Sequence, residues 1–121
     1  MSKRILVVED HEDNRRIMRD LLTSSGYEVI EAVTGIEGVS AAETYRPDLI
    51  VMDIQLPGID GYEATRQIKA NPNLQKVPII VVTSYALSGD DVKAFEAGCD
   101  AYVAKPFSPR ELLAKIREYV P

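Results

Sequence analysis

Five polar side chains in this sequence follow directly on short apolar runs: three carboxylates, one hydroxyl and one ammonium. Such runs are typical of buried strands, and residues at the carboxyl ends of parallel strands gather at one edge of the sheet. The five residues are Glu9, Asp10, Asp53, Thr83 and Lys105. Their types and positions predict a shared chemical site at that edge.

The chemistry that suits these groups is phosphoryl transfer. Three crowded carboxylates repel one another and hold their protons more tightly unless a cation lies among them. Mg²⁺ fits, because it binds one or two carboxylates together with phosphate oxygens. A carboxylate beside it can attack a phosphoryl group and form an aspartyl phosphate. Lys105 can then pair with one phosphoryl oxygen and the Thr83 hydroxyl can bond to another.

Each position also has a plain structural interpretation. An acidic residue after a strand often caps the next helix, which explains Asp10 equally well when it is taken alone. Lys105 and Thr83, taken singly, fit an exposed lysine and a strand-end residue. Asp53 is harder to explain in this way, because the segment 54–58 that follows it does not resemble a helix start. The arrival of all five groups at one edge favours the functional interpretation.

The elements that would position these residues alternate between strand and helix. Three uninterrupted apolar runs predict strands buried on both faces, and two weaker runs complete the set. The five runs are Ile5–Val8, Tyr27–Ile30, Leu49–Met52, Ile79–Val82 and Ala101–Ala104. A β-α order repeated five times predicts an α/β fold, with a parallel sheet covered by helices on both faces.

Helix signals separate the strands. The buried face of the first helix is predicted to consist of Ile17, Met18, Leu21 and Leu22. Pairs with the spacing of helix N-caps are Thr34 with Glu37, Ser88 with Asp91, and Ser108 with Glu111. A further helix over about 61–70 should end before the turn cluster 71–73.

Composition narrows the classes of function. A chain of 121 residues suits one domain, so we expect residues 1–121 to form a single unit. One cysteine and one histidine exclude a disulfide framework and a conventional His/Cys metal centre. The net charge of −5 argues against a nucleic-acid surface, and no apolar run approaches membrane-spanning length. We therefore expect a cytoplasmic protein with neither nucleic-acid nor membrane partners.

The site residues resemble the receiver domain of bacterial two-component response regulators, over Ile5 to Tyr119. The resemblance rests on Glu9-Asp10, the segment 52–61 around Asp53, Thr83, and the segment 105–107. It implies a flavodoxin-like doubly wound fold with strand order 2-1-3-4-5. The segment 52–57 is similar to stand-alone receivers of the cell-cycle type and to receivers of hybrid kinases.

The resemblance also implies roles for individual residues. Asp53 would accept a phosphoryl group from the phosphohistidine of a sensor histidine kinase or of a histidine phosphotransfer protein. Glu9, Asp10 and Asp53 would hold Mg²⁺ (or Mn²⁺), with the main-chain carbonyl of Gln55 as a further ligand. Thr83 and Tyr102 would be the switch residues, and Lys105 would complete the phosphate site.

Three finer expectations follow from the resemblance. The Lys105-Pro106 bond is expected to be cis. Gln55 and Tyr85 would flank the site, and we hypothesise that the bulk of Tyr85 slows hydrolysis of the phosphoryl group. The output would leave through the face at about 87–107 toward an unknown protein target. Two other roles stay open, a phosphoryl shuttle in a multi-step relay and a degenerate receiver that only binds protein.

Other classes fit the residues less well. A phosphatase with an aspartate nucleophile would need a second carboxylate two residues after Asp53, where Gln55 stands. A flavin site would need a glycine-rich phosphate loop after the first strand, where the acidic segment 11–14 follows. Arg15, Arg16 and Arg19 could dock an acidic kinase surface or form a solvated helix face.

Overall fold

The computed structural model of the protein describes residues 2–83, 90–105 and 107–121. Strands and helices alternate along these ranges, as the apolar runs predict. The strands are β1 (Arg4–Val8), β2 (Glu28–Ala32), β3 (Leu49–Asp53), β4 (Ile79–Thr83) and β5 (Ala101–Ala104). The helices are α1 (Glu12–Ser24), α2 (Gly35–Tyr45), α3 (Gly61–Ala70), α4 (Asp90–Ala97) and α5 (Pro109–Tyr119).

All strand pairs are parallel, and the sheet has the order β2-β1-β3-β4-β5. This confirms the doubly wound α/β fold. The order reverses its direction beside β1, so β1 and β3 are neighbours at the switch point where such sheets bind ligands. The register places Asp53 opposite Val82, and Thr83 opposite Ala104. The residues after β1, β3, β4 and β5 therefore meet at one edge.

Each face of the sheet is covered by its own helices. Alternate residues of the fully buried central strands face α2, α3 and α4 on one side, and α1 and α5 on the other. The first core includes Leu6, Met52 and Ile68, and the second includes Val7, Val51 and Ile116. Burial on both faces explains why these strands are uninterrupted apolar runs.

The helix ends agree with the cap signals wherever the structure describes them. The hydroxyls of Thr34 and Ser108 accept hydrogen bonds from the main-chain N–H groups of Glu37 and Glu111, at 3.0 and 3.1 Å. Asp60 caps α3 in the same way, which the sequence analysis did not predict. The predicted burial of Ile17 is wrong, because 56% of this residue is exposed. The buried residues of α1 are Met18 and Leu22.

Three sequence predictions lie outside the described residues: the Ser88 cap, the position of Tyr85 and the cis Lys105-Pro106 bond. The predicted output face at about 87–107 lies partly outside them. Among the described residues, no helix has the length and apolar character needed to cross a membrane.

Candidate functional site

The predicted acidic cluster forms at the carboxyl edge of the sheet. One oxygen from each of Glu9, Asp10 and Asp53 lies within 4.8 Å of the others. Glu9 and Asp53 are buried, with 0% and 4% of their surfaces exposed, and Asp10 is half-buried. Carboxylates this close are costly without a cation among them, so their grouping points to a ligand-binding role rather than a structural one.

The local backbone holds Asp53 at the strand end. The main-chain N–H of Ile54 still donates to the Val82 carbonyl at 3.3 Å, and the N–H of Gly61 donates to the Ile54 carbonyl at 2.8 Å. Gly61 also lets α3 approach closely, since a Cβ added there would lie 2.1 Å from the Asp53 carbonyl oxygen. The start of α3 therefore fixes the end of β3.

Lys105 joins the cluster from the end of β5 and pairs more closely with Glu9 than with Asp53. Its ammonium lies 3.0 Å from Glu9 Oε1 and 3.8 Å from Asp53 Oδ2. The main-chain N–H of His11 donates to the other oxygen of Glu9 at 3.2 Å. Glu9 is thus held in its ionised form, and Lys105 lies within reach of a group attached to Asp53.

Burial and these contacts shift the pKa values of the two buried carboxyls in opposite directions. Burial and the negative charge of Glu9 raise the pKa of Asp53 to about 7, against the pull of Lys105. Burial also acts to raise the pKa of Glu9, but the hydrogen bonds from Lys105 and from the main chain of His11 outweigh it and lower that pKa. In the protein without metal, Asp53 is therefore the carboxyl that takes up a proton.

The donor set fits a divalent cation. Among the described residues, Asp10 Oδ1 is buried and has no hydrogen-bond partner, and Nε2 of His11 lies 3.9 Å from it. An ion coordinated by this oxygen and by Asp53 would offset the repulsion that raises the pKa of Asp53. Oxygen-only ligands are those that Mg²⁺ and Mn²⁺ accept.

The remaining predicted residues differ in how close they lie to this cluster. Thr83 is fully buried at the end of β4, and the main-chain N–H of Lys105 donates to its carbonyl at 2.6 Å. Tyr102 is half-buried in β5 and packs against the core on the α4 side. Gln55 is exposed, two residues beyond Asp53. The structure thus brings Glu9, Asp10, Asp53 and Lys105 together and places Thr83 at the same edge.

The arginines of α1 form ion pairs with acidic neighbours. Arg15 and Arg19 both bind Glu31 of β2, and Arg16 pairs with Asp13 on its own helix. Arg15 also donates hydrogen bonds to the main-chain carbonyls of the acidic pair Glu9-Asp10. This inward role could not be predicted from the sequence, because a side chain bonded to main-chain carbonyls leaves no residue pattern.

Comparison with known proteins agrees with this fold and site. The chain matches the family model of the response regulator receiver domain over residues 5–117. It is 42% identical over 120 residues to the polar-differentiation response regulator DivK of Brucella anthropi, covering 99% of this chain and 98% of that protein. DivK of Brucella ovis is 41% identical, with the same coverage.

Two solved structures are also similar to this chain in sequence and fold. One is the receiver domain of the sensor histidine kinase PA1611 from Pseudomonas aeruginosa, crystallised with a magnesium ion coordinated in its active-site cleft. It is 42% identical, with a TM-score of 0.92 over 99% of this chain and 98% of that one. The other is a putative response regulator from Chloroflexus aurantiacus, 31% identical, with a TM-score of 0.94 over the same shares.

The chain belongs to the response regulator receiver domain family of two-component signalling. This confirms the family predicted from the site residues. Members of the family are signalling phosphoacceptors that interact with histidine kinases and with downstream targets, and they are not generally classed as enzymes.

Proposed function

We propose that this protein accepts a phosphoryl group on Asp53 from the phosphohistidine of a sensor histidine kinase or a histidine phosphotransfer protein. The observation that carries the proposal is the position of Asp53. It is a buried carboxylate at the end of β3, grouped with Glu9, Asp10 and the ammonium of Lys105. Residues 1–121 act as one receiver domain, and its only chemistry is its own phosphorylation and dephosphorylation.

The transfer needs little from the protein beyond position and charge. An Asp53 oxygen forms the new P–O bond while the P–N bond of the phosphoimidazole breaks, and the imidazole nitrogen keeps the electron pair and takes up a proton. Lys105 exchanges its contact with Glu9 for one with a phosphoryl oxygen, and the Thr83 hydroxyl donates to another. Glu9, Asp10, Asp53 and the Gln55 carbonyl would hold Mg²⁺, which when bound would supply positive charge for the phosphoryl oxygens.

The phosphodonor has a docking surface next to the site. A groove of about 300 Å³ lies between α1 and the segment after β5, lined by Asn14, Ile17, Met18, Lys105 and Phe107. Its walls are mostly apolar, and Lys105 connects it to the acidic cluster. The exposure of Ile17 is explained if the donor packs against this groove.

The signal leaves on the other side of β4 and β5. Thr83 moves toward the phosphoryl group and Tyr102 turns inward, which biases two states of the α4/β5 face. Val92 and Phe95 of α4 are 54% and 52% exposed and offer an apolar surface to a protein target. The alternatives are a phosphoryl shuttle in a relay and, with less support from the filled acidic site, a degenerate receiver. We place the protein in the cytoplasm, without nucleic-acid or membrane partners.

The position of the phosphoryl group can be mapped directly. After incubation with acetyl phosphate and Mg²⁺, borohydride reduces an aspartyl phosphate to homoserine, which peptide mass spectrometry locates. We expect homoserine at residue 53. The matched control is Asp48→Asn, since Asp48 lies at the opposite end of β3 and accepts a hydrogen bond from the Arg4 main chain. This variant should be labelled like the wild type. Homoserine at residue 10, or phosphate on His11, would contradict the proposal.

A further inference from the structure

Arg15 contacts the main chain of the acidic pair Glu9-Asp10. Its Nη1 donates to the main-chain carbonyls of both Glu9 and Asp10, at 3.1 and 3.3 Å. Its Nε donates to Glu31 Oε1 at 3.3 Å, and only 17% of the side chain is exposed. One guanidinium therefore joins α1, β2 and the segment that follows β1.

The two carbonyls that Arg15 holds belong to the peptide groups immediately before and after the Asp10 Cα. Since each peptide group is planar, holding both planes restricts φ and ψ of Asp10, and with them the direction of its Cα–Cβ bond. Besides Arg15, the His11 N–H, which belongs to the same peptide group as the Asp10 carbonyl, donates to Glu9 Oε2 at 3.2 Å. Two further hydrogen bonds act at the ends of the segment. The Glu9 N–H donates to the Ala32 carbonyl at 3.0 Å, and the Arg15 N–H donates to the His11 carbonyl at 3.0 Å.

The side chain of Asp10 has little else to orient it. Its Oδ1 is buried without a hydrogen-bond partner among the described residues. Glu9, by contrast, is held at both oxygens by Lys105 and the His11 main chain. The direction in which the Asp10 side chain enters the cluster therefore depends on the backbone that Arg15 holds.

Arg19 provides a natural comparison within the same helix. It lies one turn further along α1, and the contacts that the described residues give it are to Glu31, at 3.2 Å. Both arginines carry the same charge and share the same carboxylate. Only Arg15 reaches the carbonyls of the acidic pair, so the two differ in position and not in charge.

We infer that Arg15 is a positioning residue for the metal site: through the peptide groups around Asp10 it sets the carboxylate in place to bind Mg²⁺. The inference rests on the proposed function, because it takes the acidic cluster to be a magnesium site. A planar guanidinium can bond two carbonyls and a carboxylate at once, whereas the ammonium of lysine is a compact point charge. Arginine and lysine are therefore not equivalent at this position.

The test is the Mg²⁺ dissociation constant, measured by calorimetric titration on the wild type and on Arg15→Ala, Arg15→Lys and Arg19→Ala. Loss of a residue that orients a metal ligand typically weakens binding about tenfold, which is the increase we expect for Arg15→Ala. Arg15→Lys keeps the charge and should also bind Mg²⁺ several times more weakly. Arg19→Ala should stay within about twofold of the wild type, as for an exposed ion pair.

The sign of the change separates positioning from charge. Removing a positive charge near a cation site strengthens cation binding when charge alone matters. Tighter or unchanged Mg²⁺ binding by Arg15→Ala, or an equal weakening by Arg19→Ala, would overturn the inference. If Arg15→Ala does not fold, the decision falls to Arg15→Lys, and a wild-type dissociation constant in that variant would overturn it. A wild type that binds no Mg²⁺ would refute the metal site itself, and with it both proposals.

Discussion

Replacing Asp53 with asparagine is expected to stabilise the metal-free protein at pH 8, by about 2 kcal/mol. For a domain of this size, that corresponds to a rise of about 8 °C in melting temperature. The reason is that the Asp53 carboxylate is buried beside the charge of Glu9, which the 3.8 Å contact with Lys105 does not fully offset. Asparagine keeps the shape and removes the repulsion, so Lys105 can pair with Glu9 alone.

The gain should depend on pH in a defined direction. Burial, together with the charge of Glu9, raises the pKa of Asp53 from 3.8 to about 7, so the folded protein binds this proton more tightly than the unfolded chain does. The wild type therefore loses stability as the pH rises from about 4 through 7. The difference in the free energy of unfolding between Asp53→Asn and the wild type should be small near pH 4, grow up to pH 7 and level off above it.

Thermal unfolding in the presence of EDTA measures this difference. The control is Asp20→Asn, which removes one negative charge from the exposed part of α1. It should leave the melting temperature nearly unchanged at every pH. A lower melting temperature for Asp53→Asn at pH 8, or a difference that does not change between pH 4.5 and 8, would contradict the electrostatic account of the site.

The second large effect is expected for Gly61→Ala. An added Cβ would lie 2.1 Å from the Asp53 carbonyl oxygen and 2.7 Å from the Ile54 Cα. Both are backbone atoms, so α3 or the end of β3 must move. We expect overpacking to lower the free energy of unfolding by about 3 kcal/mol, the upper end for such substitutions. The higher helix propensity of alanine should raise it by about 1 kcal/mol. Because the strand end carries Asp53, phosphoryl uptake should fall as well.

Gly38→Ala is the matched control for this steric effect. A Cβ at Gly38 of α2 would meet the methyl groups of Val8 at 2.9 and 3.0 Å, which are side-chain atoms and not backbone. Denaturant unfolding of the two variants should show the larger loss for Gly61→Ala, and Gly38→Ala should keep its phosphoryl uptake. Equal losses, or a Gly61→Ala variant as stable as the wild type, would show that α3 does not constrain the site as described.

Much of the fold could be predicted from the sequence, because burial on both faces leaves a strong signal. The runs at Leu49–Met52 and Ile79–Val82 are uninterrupted and became the central strands β3 and β4. Side chains packed on a single face were harder to predict. Ile17 has the correct period for burial, but it lines an open groove together with Lys105 and Phe107. Periodicity alone does not show how wide a stripe the partner surface covers.

The site was predictable only in part, for a related reason. Residues that follow strands, such as Asp53 and Lys105, could be assigned to one edge because parallel strands end together. The preference of Lys105 for Glu9 over Asp53 depends on differences of less than 1 Å in position, which spacing does not encode. The role of Arg15 depends on main-chain carbonyls, which every sequence has. The roles assigned to all the site residues stay predictions: Glu9, Asp10, Asp53, Gln55, Thr83, Tyr85, Tyr102 and Lys105.

The most direct test of the central claim is the intact mass of the protein after incubation with acetyl phosphate, with and without Mg²⁺. The wild type should gain the mass of one phosphoryl group only when Mg²⁺ is present, and Asp53→Asn should gain none under either condition. Phosphorylation of Asp53→Asn to the same extent as the wild type, or no adduct on the wild type with Mg²⁺ present, would contradict the assignment of Asp53 as the phosphoacceptor.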